Sequence, residues 1–112
     1  MEKQPCVYIV ASGRHGTLYI GVTSNLIGRV MQHRDGTFDG FSKRYGCDRL
    51  VWFTAADTME AAIRREKQMK KWKRDWKARL IEEGNPEWDD LAIGLGLSPL
   101  KGGGMRVTSE RG

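Results

Sequence analysis

The stretch Cys6 to Thr23, CVYIVASGRHGTLYIGVT, decides the fold. Its first six residues, Cys6–Ala11, are apolar and rich in β-branched or aromatic side chains, which predicts a buried strand. Residues Ser12–Gly16 carry two glycines that can take positive φ, which is typical of a turn. Residues Thr17–Thr23 resemble a second strand. Two strands joined by five Gly-containing residues predict a β-hairpin.

Further elements follow the hairpin. They are a helix over Leu26–Arg34 with candidate N-caps Thr23, Ser24 and Asn25, a loop over residues 35–48, a strand over Arg49–Ala55, and one long helix from Asp57 to Glu83. Gly84, followed by Asn85-Pro86, predicts the end of the long helix. The order β-β-α-β-α predicts an α+β domain, a three-stranded sheet covered by helices. We expect this domain to span residues 1–93, and residues 94–112 to form a flexible tail, because Gly accumulates there without apolar periodicity.

The composition is that of an ordinary globular domain. The chain has 112 residues, 39% of them hydrophobic and 29% charged, which predicts one domain with a modest core. No apolar run approaches the roughly 20 residues that span a bilayer, and the N-terminus lacks the apolar stretch of a secretory signal. We therefore expect a cytoplasmic protein without a membrane partner, in which Cys6 and Cys47 are reduced thiols.

Positive charge is concentrated in the predicted long helix. Residues 60–79 carry nine Lys or Arg against three acids, while the whole chain has a net charge of +5. A basic stripe on one element indicates an anionic partner, and nucleic acid is the first candidate. A solvated, Lys-rich helix face would have the same composition, so charge alone leaves both interpretations open.

One acid of this helix, Glu66, falls among apolar residues. On a helical wheel of about 100° per residue, it shares a stripe with a set of apolar side chains, Met59, Ala62, Met69, Trp76 and Leu80. A core-facing carboxylate costs on the order of several kcal/mol unless a cation pairs with it. Lys70, four residues later, can supply that cation, and so can a divalent metal. The pattern alone leaves both open.

Two pairs of residues have chemistry suited to a phosphodiester. Arg29 and His33 lie four residues apart on the predicted short helix, so their side chains share a flank. An arginine fork binds phosphate, and a histidine can exchange protons near neutral pH. Tyr8 and Tyr19 lie on the two hairpin strands, where cross-strand neighbours can share a face. Taken singly, an exposed Arg-His pair and two core tyrosines would explain the same pattern.

In combination, these landmarks are more specific. Val7-Tyr8-Ile9, Tyr19-Ile20-Gly21, Arg29 with His33, and then Glu66, in this order, resemble the GIY-YIG nuclease family over roughly residues 6–80. The second half of the motif is intact, whereas the first half is degenerate. The stretches RREKQMKKW (64–72) and NPEW (85–88) resemble the small stand-alone members of the family.

The resemblance implies a central three-stranded antiparallel sheet flanked by helices and a one-metal hydrolysis of a phosphodiester. Carried over by position, Glu66 would bind Mg²⁺ or Mn²⁺, with waters in the other coordination positions. Arg29 would neutralise the charge that develops on the phosphate in the transition state. Some members also carry an Asn after the metal-binding Glu; the nearest one here is Asn85, beyond the predicted helix end.

The same resemblance assigns proton transfer to the hairpin tyrosines. Tyr8 would be the general base toward the attacking water, and Tyr19 and His33 would orient that water or share the proton. Gly21 would let the strand pass close to the substrate. The further candidate substrate contacts are Lys43, Lys70 and Lys73.

The function expected from the resemblance is a metal-dependent endonuclease that acts on nucleic acid, with DNA as the expected substrate. The alternative is a non-catalytic nucleic-acid-binding module, whose binding would fall steeply with salt. A third candidate is a protein-interaction module that uses Trp72, Trp76 and Trp88. Glu66 favours the enzyme, because a binder of anions gains nothing from an acid there. RNA as the substrate, a partner protein and a homodimer all stay open.

Overall fold

A computed structural model describes residues 3–38 and 40–97. It contains three strands, four helices and one 3₁₀ turn in these residues: β1 (Cys6–Ala11), β2 (Leu18–Thr23), α1 (Leu26–Asp35), α2 (Gly40–Tyr45), β3 (Arg49–Ala55), α3 (Met59–Lys70), α4 (Arg74–Gly84) and the turn Ile93–Leu95. The strands form one antiparallel sheet in the order β2-β1-β3. The predicted α+β class and antiparallel three-stranded sheet are therefore confirmed.

The central strand β1 is buried on both faces of the sheet, which explains its continuous apolar sequence. Val7, Ile9 and Ala11 enter one core cluster, together with Ala62 and Met69 of α3. The alternate residues enter a second cluster on the opposite face, which contains Tyr8, Val10, Val30 of α1, Cys47 and Leu50. The sheet thus separates two cores, one under α3 and α4 and the other under α1.

The predicted long helix is wrong: the chain forms two helices there. Thr58 caps α3 by accepting a hydrogen bond from the Ala61 amide at 3.0 Å, and α4 ends at Gly84 as predicted. Between the helices, the Trp72 amide turns back to Met69, and Lys73 is extended with ψ 153°. Trp76, which the wheel placed in the core stripe, is consequently 55% exposed.

The break between α3 and α4 is held by a contact with the hairpin. The Arg74 guanidinium donates to the carbonyl oxygens of His15 and Gly16, at 2.9 and 2.7 Å. These bonds tie the first turn of α4 to the β1–β2 loop. A straight continuation of α3 would lose them, so a long-range contact decides a boundary that the local sequence does not mark.

The predicted loop over residues 35–48 contains a further helix, α2. Its only buried side chain among the described residues is Ser42, so the helix lacks the apolar periodicity that would predict it. Gly46, at φ 66°, ends the helix in a backbone conformation that suits glycine. The Cys47 amide then donates to the Ser42 carbonyl at 2.9 Å. Hydrogen bonds at Ser42 therefore fix helix α2 in place, and no apolar face marks it in the sequence.

The segment after α4 is anchored by Asn85. A register shift between β1 and β3 leaves Val51 without a partner on β1, and the Asn85 amide donates to the Val51 carbonyl at 3.1 Å. Asn85 also exchanges hydrogen bonds with the backbone of Asp89. Its side chain is buried and fully engaged in holding this loop, which is a structural role.

Three other expectations concern the whole chain. No helix in the described residues is long and apolar enough to cross a membrane. Cys6 and Cys47 are buried free thiols, as predicted. Residues 94–97 of the predicted tail are described and include the end of the 3₁₀ turn, with Leu95 and Leu97 packed against the second core cluster. Residues 98–112 lie outside the described part.

Candidate active site

The second core cluster contains a chain of buried polar side chains. The Tyr8 hydroxyl lies 2.8 Å from Nε2 of His33, and Nδ1 of His33 contacts the Ser42 hydroxyl at 2.5 Å. The Ser42 hydroxyl donates to the Cys47 carbonyl at 3.1 Å. All of these side chains are buried. We call Tyr8, His33 and Ser42 the proton relay.

The last acceptor of the relay fixes the direction of its hydrogen bonds. A carbonyl oxygen only accepts, so the Ser42 hydroxyl uses its one proton on Cys47. Its oxygen then accepts from Nδ1–H of His33, and in the neutral imidazole this leaves Nε2 as the acceptor of the Tyr8 proton. Burial, and then the neighbouring Asp48, raise the pKa of the Cys47 thiol to about 11, so Cys47 contributes only its carbonyl. The relay thus withdraws the proton of the Tyr8 phenol toward His33.

Gly21 makes room for Tyr8. The two residues are cross-strand partners, and a Cβ atom on Gly21 would lie only 2.5 Å from the Tyr8 hydroxyl oxygen and 2.6 Å from Cζ. The tyrosine ring therefore lies across the glycine. The structure gives Gly21 this packing role, and a contact of Gly21 with the substrate stays a prediction.

We expect Gly21→Ala to destabilise the fold by about 1–3 kcal/mol, because the new methyl group forces the buried Tyr8 ring to move. Thermal denaturation measures this loss. Gly13→Ala is the matched control, since its Cβ would meet no atom within 4 Å, and its effect should stay within about 0.5 kcal/mol. Equal unfolding temperatures for both variants would contradict the packing of Tyr8 on Gly21.

Aromatic side chains surround the relay on its outer side. The Tyr19 ring meets the His33 ring at 5.2 Å between centroids, and Phe38 meets His33 at 4.9 Å. Phe38 and Phe41 also contact Tyr19, and Phe41 contacts Tyr45 at 4.8 Å. We call Phe38, Phe41 and Tyr45 the aromatic rim. Neither the rim nor Ser42 was predicted from the sequence.

Arg29 lies at the junction of the rim and the sheet edge. Asn25 caps α1 through its side chain, which accepts from the Gly28 amide at 3.1 Å, and Arg29 follows in the first turn. Its Nη1 donates to the Val22 carbonyl on the edge strand β2, and Nε donates to Gln32. Cζ lies 4.1 Å from the centroid of Phe38. Arg29 is only partly exposed, so its guanidinium is held in place rather than freely solvated.

Glu66 lies on the other side of the sheet. It shares the α3 face with Ala62 and Met69, which pack against the first core cluster, and its side chain is 15% exposed. The wheel-based prediction of a semi-buried carboxylate is confirmed, and one oxygen pairs with Lys70 at 2.8 Å. Within the described residues, Glu66 makes no hydrogen bond or ion pair with the relay or with Arg29.

The position of Glu66 nonetheless suits a hard divalent cation. Mg²⁺ keeps several waters and takes only one or two protein carboxylates, so it needs no larger cluster of ligands. No group of three or more His, Cys, Asp or Glu side chains able to hold a metal occurs in the described part of the chain. Glu66 therefore fits a divalent ion that has a single protein ligand. The Lys70 ammonium would compete with that ion for the Glu66 carboxylate.

The other predicted substrate contacts are dispersed. Lys43 is exposed on α2, the helix that carries Phe41 and Tyr45 of the aromatic rim, and a Cβ atom added at Gly36 would lie 3.6 Å from its stem. Lys70 is occupied by Glu66, and Lys73 is the extended residue between α3 and α4. The structure thus groups Tyr8, Tyr19, Arg29 and His33 on one face, whereas the three lysines belong to separate places.

The sequence of this chain is similar to those of known proteins. Residues 4–79, more than half of the chain, match the GIY-YIG catalytic domain. The UPF0213 protein of Haloquadratum walsbyi is 36% identical over 84 residues, which cover 75% of this chain and 93% of the relative. The UPF0213 protein of Staphylococcus saprophyticus is 32% identical over 78 residues, 70% and 94% of the two chains.

One solved structure is also similar. The solution NMR structure of the UPF0213 protein BH0048 from Bacillus halodurans is 25% identical, with a TM-score of 0.49, over 85% of this chain and 99% of that one. The match of residues 4–79 covers both hairpin strands and the helix that carries Glu66. This chain belongs to the GIY-YIG nuclease family, and small UPF0213 proteins are among its relatives.

Proposed function

We propose that this protein is a divalent-metal-dependent endonuclease that hydrolyses the phosphodiester backbone of DNA. The observation that carries the proposal is the proton relay, in which a buried phenol donates to a histidine that is itself oriented by Ser42 and the Cys47 carbonyl. Unlike the buried amide of Asn85, which bonds to backbone groups, the relay links side chains that can exchange protons, the Tyr8 phenol and the His33 imidazole. Family membership supports a nucleic-acid substrate.

The relay accounts for activation of the attacking water. A water that enters beside Tyr19 gives a proton to the Tyr8 oxygen while the Tyr8 proton passes to Nε2 of His33. The resulting hydroxide attacks phosphorus, and the bond to the leaving sugar oxygen breaks, with solvent supplying the proton for that oxygen. Tyr8 and His33 are buried, whereas Tyr19 and Arg29 are partly exposed. In this proposal the two buried side chains, Tyr8 and His33, exchange the proton. The two partly exposed ones contact the substrate.

Charge stabilisation comes from two places at the edge of the sheet. Arg29 is anchored to the Val22 carbonyl on β2, and its remaining donors can bind the phosphate as charge develops. Glu66 is on α3, which packs against β2 from the opposite face. A bound divalent ion would stabilise charge on the phosphate oxygens, and Glu66 would hold it. In this proposal a substrate phosphate at the β2 edge is contacted by Arg29 from one face of the sheet and by the ion on Glu66 from the other.

A cleavage assay tests the proposal. Purified protein is incubated with supercoiled plasmid and with flapped, branched and single-stranded oligonucleotides, in Mg²⁺ or Mn²⁺ and in EDTA. We expect metal-dependent cutting that EDTA abolishes. Salt-sensitive binding without cutting of any substrate would instead favour the non-catalytic binding module.

We expect Lys70→Met to lower the Mn²⁺ concentration for half-maximal cleavage about two- to fivefold, because loss of a partly exposed ion pair worth up to about 1 kcal/mol frees the Glu66 carboxylate. Calorimetric titration with Mn²⁺ should show the same shift. Lys67→Met is the control, since it removes the same charge from α3 without an ion pair in the described residues. Weaker DNA binding with an unchanged Mn²⁺ requirement would assign Lys70 to the substrate instead.

A further inference from the structure

The aromatic rim leaves large apolar side chains in water beside the candidate active site. The exposed fractions of Phe38, Phe41 and Tyr45 are 37%, 47% and 46%. The rings are contiguous: Phe41 meets Tyr45, and both Phe38 and Phe41 meet Tyr19. The rim is thus an exposed aromatic surface that continues directly from the outer side of the proton relay.

Cations accompany the rings of the rim. Arg29 lies over Phe38 at 4.1 Å, and Arg44 lies 5.7 Å from the centroid of Tyr45. Lys43 is exposed on the same short helix. None of these three cations forms an ion pair with a carboxylate among residues 3–38 and 40–97. Their charges are therefore available to an anionic ligand.

Rings that alternate with cations match the chemistry of an unpaired nucleic-acid strand, whose bases stack on aromatic faces while basic side chains follow its phosphates. Aromatic rings and arginine also occur at protein docking surfaces, and Lys43 is the residue here that the core of such a surface would lack. In a duplex the faces of the bases are hidden in the stack, so exposed rings gain little from it. From these contacts we infer that the aromatic rim stacks unpaired bases next to the scissile phosphate, so that the substrate is single-stranded or locally unpaired DNA. This inference rests on the proposed nuclease function.

Binding of matched oligonucleotides to the full chain tests the inference. The protein carries Glu66→Gln so that the probes stay intact, and the probes are a single strand, its duplex, and the same strand with abasic sites. The abasic strand keeps the phosphates and lacks the stacking faces. We expect the single strand to bind about 10-fold more tightly than the abasic strand. A 2-aminopurine base in the single strand should lose fluorescence on binding.

Variants of the rim separate stacking from general apolar contact. Phe41→Leu keeps an apolar side chain and removes the ring, so we expect about a 10-fold loss of single-strand affinity with unchanged affinity for the abasic strand. Phe41→Trp should retain affinity and quenching. Tyr45→Leu repeats the test at a second site should the first variant fail to fold. Ile93→Ala is the control, because Ile93 is similarly exposed, at 49%, and carries no ring.

Different outcomes overturn different parts of the argument. Equal affinity for the single strand, the duplex and the abasic strand would overturn the stacking inference. Equal single-strand affinities of the Phe41→Leu and Phe41→Trp variants would overturn it as well. In either case, metal-dependent cutting by the wild-type protein would leave the proposed nuclease function standing. Failure to bind any of the three probes would overturn both, and would point to a protein partner for the rim.

Discussion

Glu66→Gln is expected to lower the rate of DNA cleavage by roughly 1000-fold, the equivalent of about 4 kcal/mol of transition-state stabilisation. The amide keeps the size and position of the side chain on α3 but loses the charge that a hard divalent ion requires. Single-turnover cleavage in saturating Mg²⁺ measures the effect. DNA binding should persist or tighten, because the variant removes an anion from the proposed phosphate site.

Folding is not expected to change much in this variant. The lost ion pair with Lys70 is partly exposed, so its contribution to the free energy of unfolding is about 0–1 kcal/mol. Glu60→Gln is a suitable control, since it neutralises an exposed acid in the first turn of the same helix. Wild-type cleavage rates for Glu66→Gln at every Mg²⁺ concentration would remove Glu66 from the metal site.

The strands were predictable because their signals are local. β1 and β3 occupy the predicted limits, Cys6–Ala11 and Arg49–Ala55, and β2 differs only in beginning at Leu18 instead of Thr17. A run of β-branched and aromatic residues between turn residues specifies a strand wherever it lies in the sheet. The order of the strands in the sheet was harder to predict from the sequence. β1 pairs with β3, although β2, α1 and α2 lie between them along the chain.

The helices were harder to predict where long-range contacts decide them. Nothing in Lys71-Trp72-Lys73 marks the end of a helix, since it contains neither Gly nor Pro, yet Arg74 bonds to the hairpin loop and turns the chain. The wheel was therefore correct for Glu66, which shares α3 with Ala62 and Met69. It was wrong for Trp76, which belongs to a different helix axis.

The residues of the candidate site likewise differ in whether they could be predicted from the sequence. Tyr8, Tyr19, Arg29 and His33 could be proposed because their order resembles that of the GIY-YIG family, and the structure brings them to one face of the sheet. Ser42 could not, because a serine in a segment without periodicity carries no signal until His33 is known to need a partner for Nδ1. The position of Glu66 across the edge strand β2 likewise depends on topology, which residue spacing does not encode.

Tyr8→Phe is the second change for which we expect a large effect, a fall in kcat of about 100-fold or more with little change in KM. The phenyl ring still fills the space over Gly21, so packing is kept, and only the hydroxyl that donates to His33 is lost. KM should hold because Tyr8 is fully buried, and in the proposed mechanism the partly exposed Tyr19 and Arg29 contact the substrate. Steady-state kinetics on a flapped or single-stranded oligonucleotide provide both constants.

Ser42→Ala separates proton transfer from simple support of His33. Tyr8→Phe and Ser42→Ala each remove one hydrogen bond of the buried His33 imidazole, so each should lower the free energy of unfolding by about 1–3 kcal/mol. Ser42 orients the histidine but never carries the proton of the attacking water, so Ser42→Ala should reduce kcat far less than Tyr8→Phe. Equal losses of kcat would mean that the relay only positions His33. An unchanged kcat in Tyr8→Phe, despite a lower unfolding temperature, would exclude Tyr8 as the base.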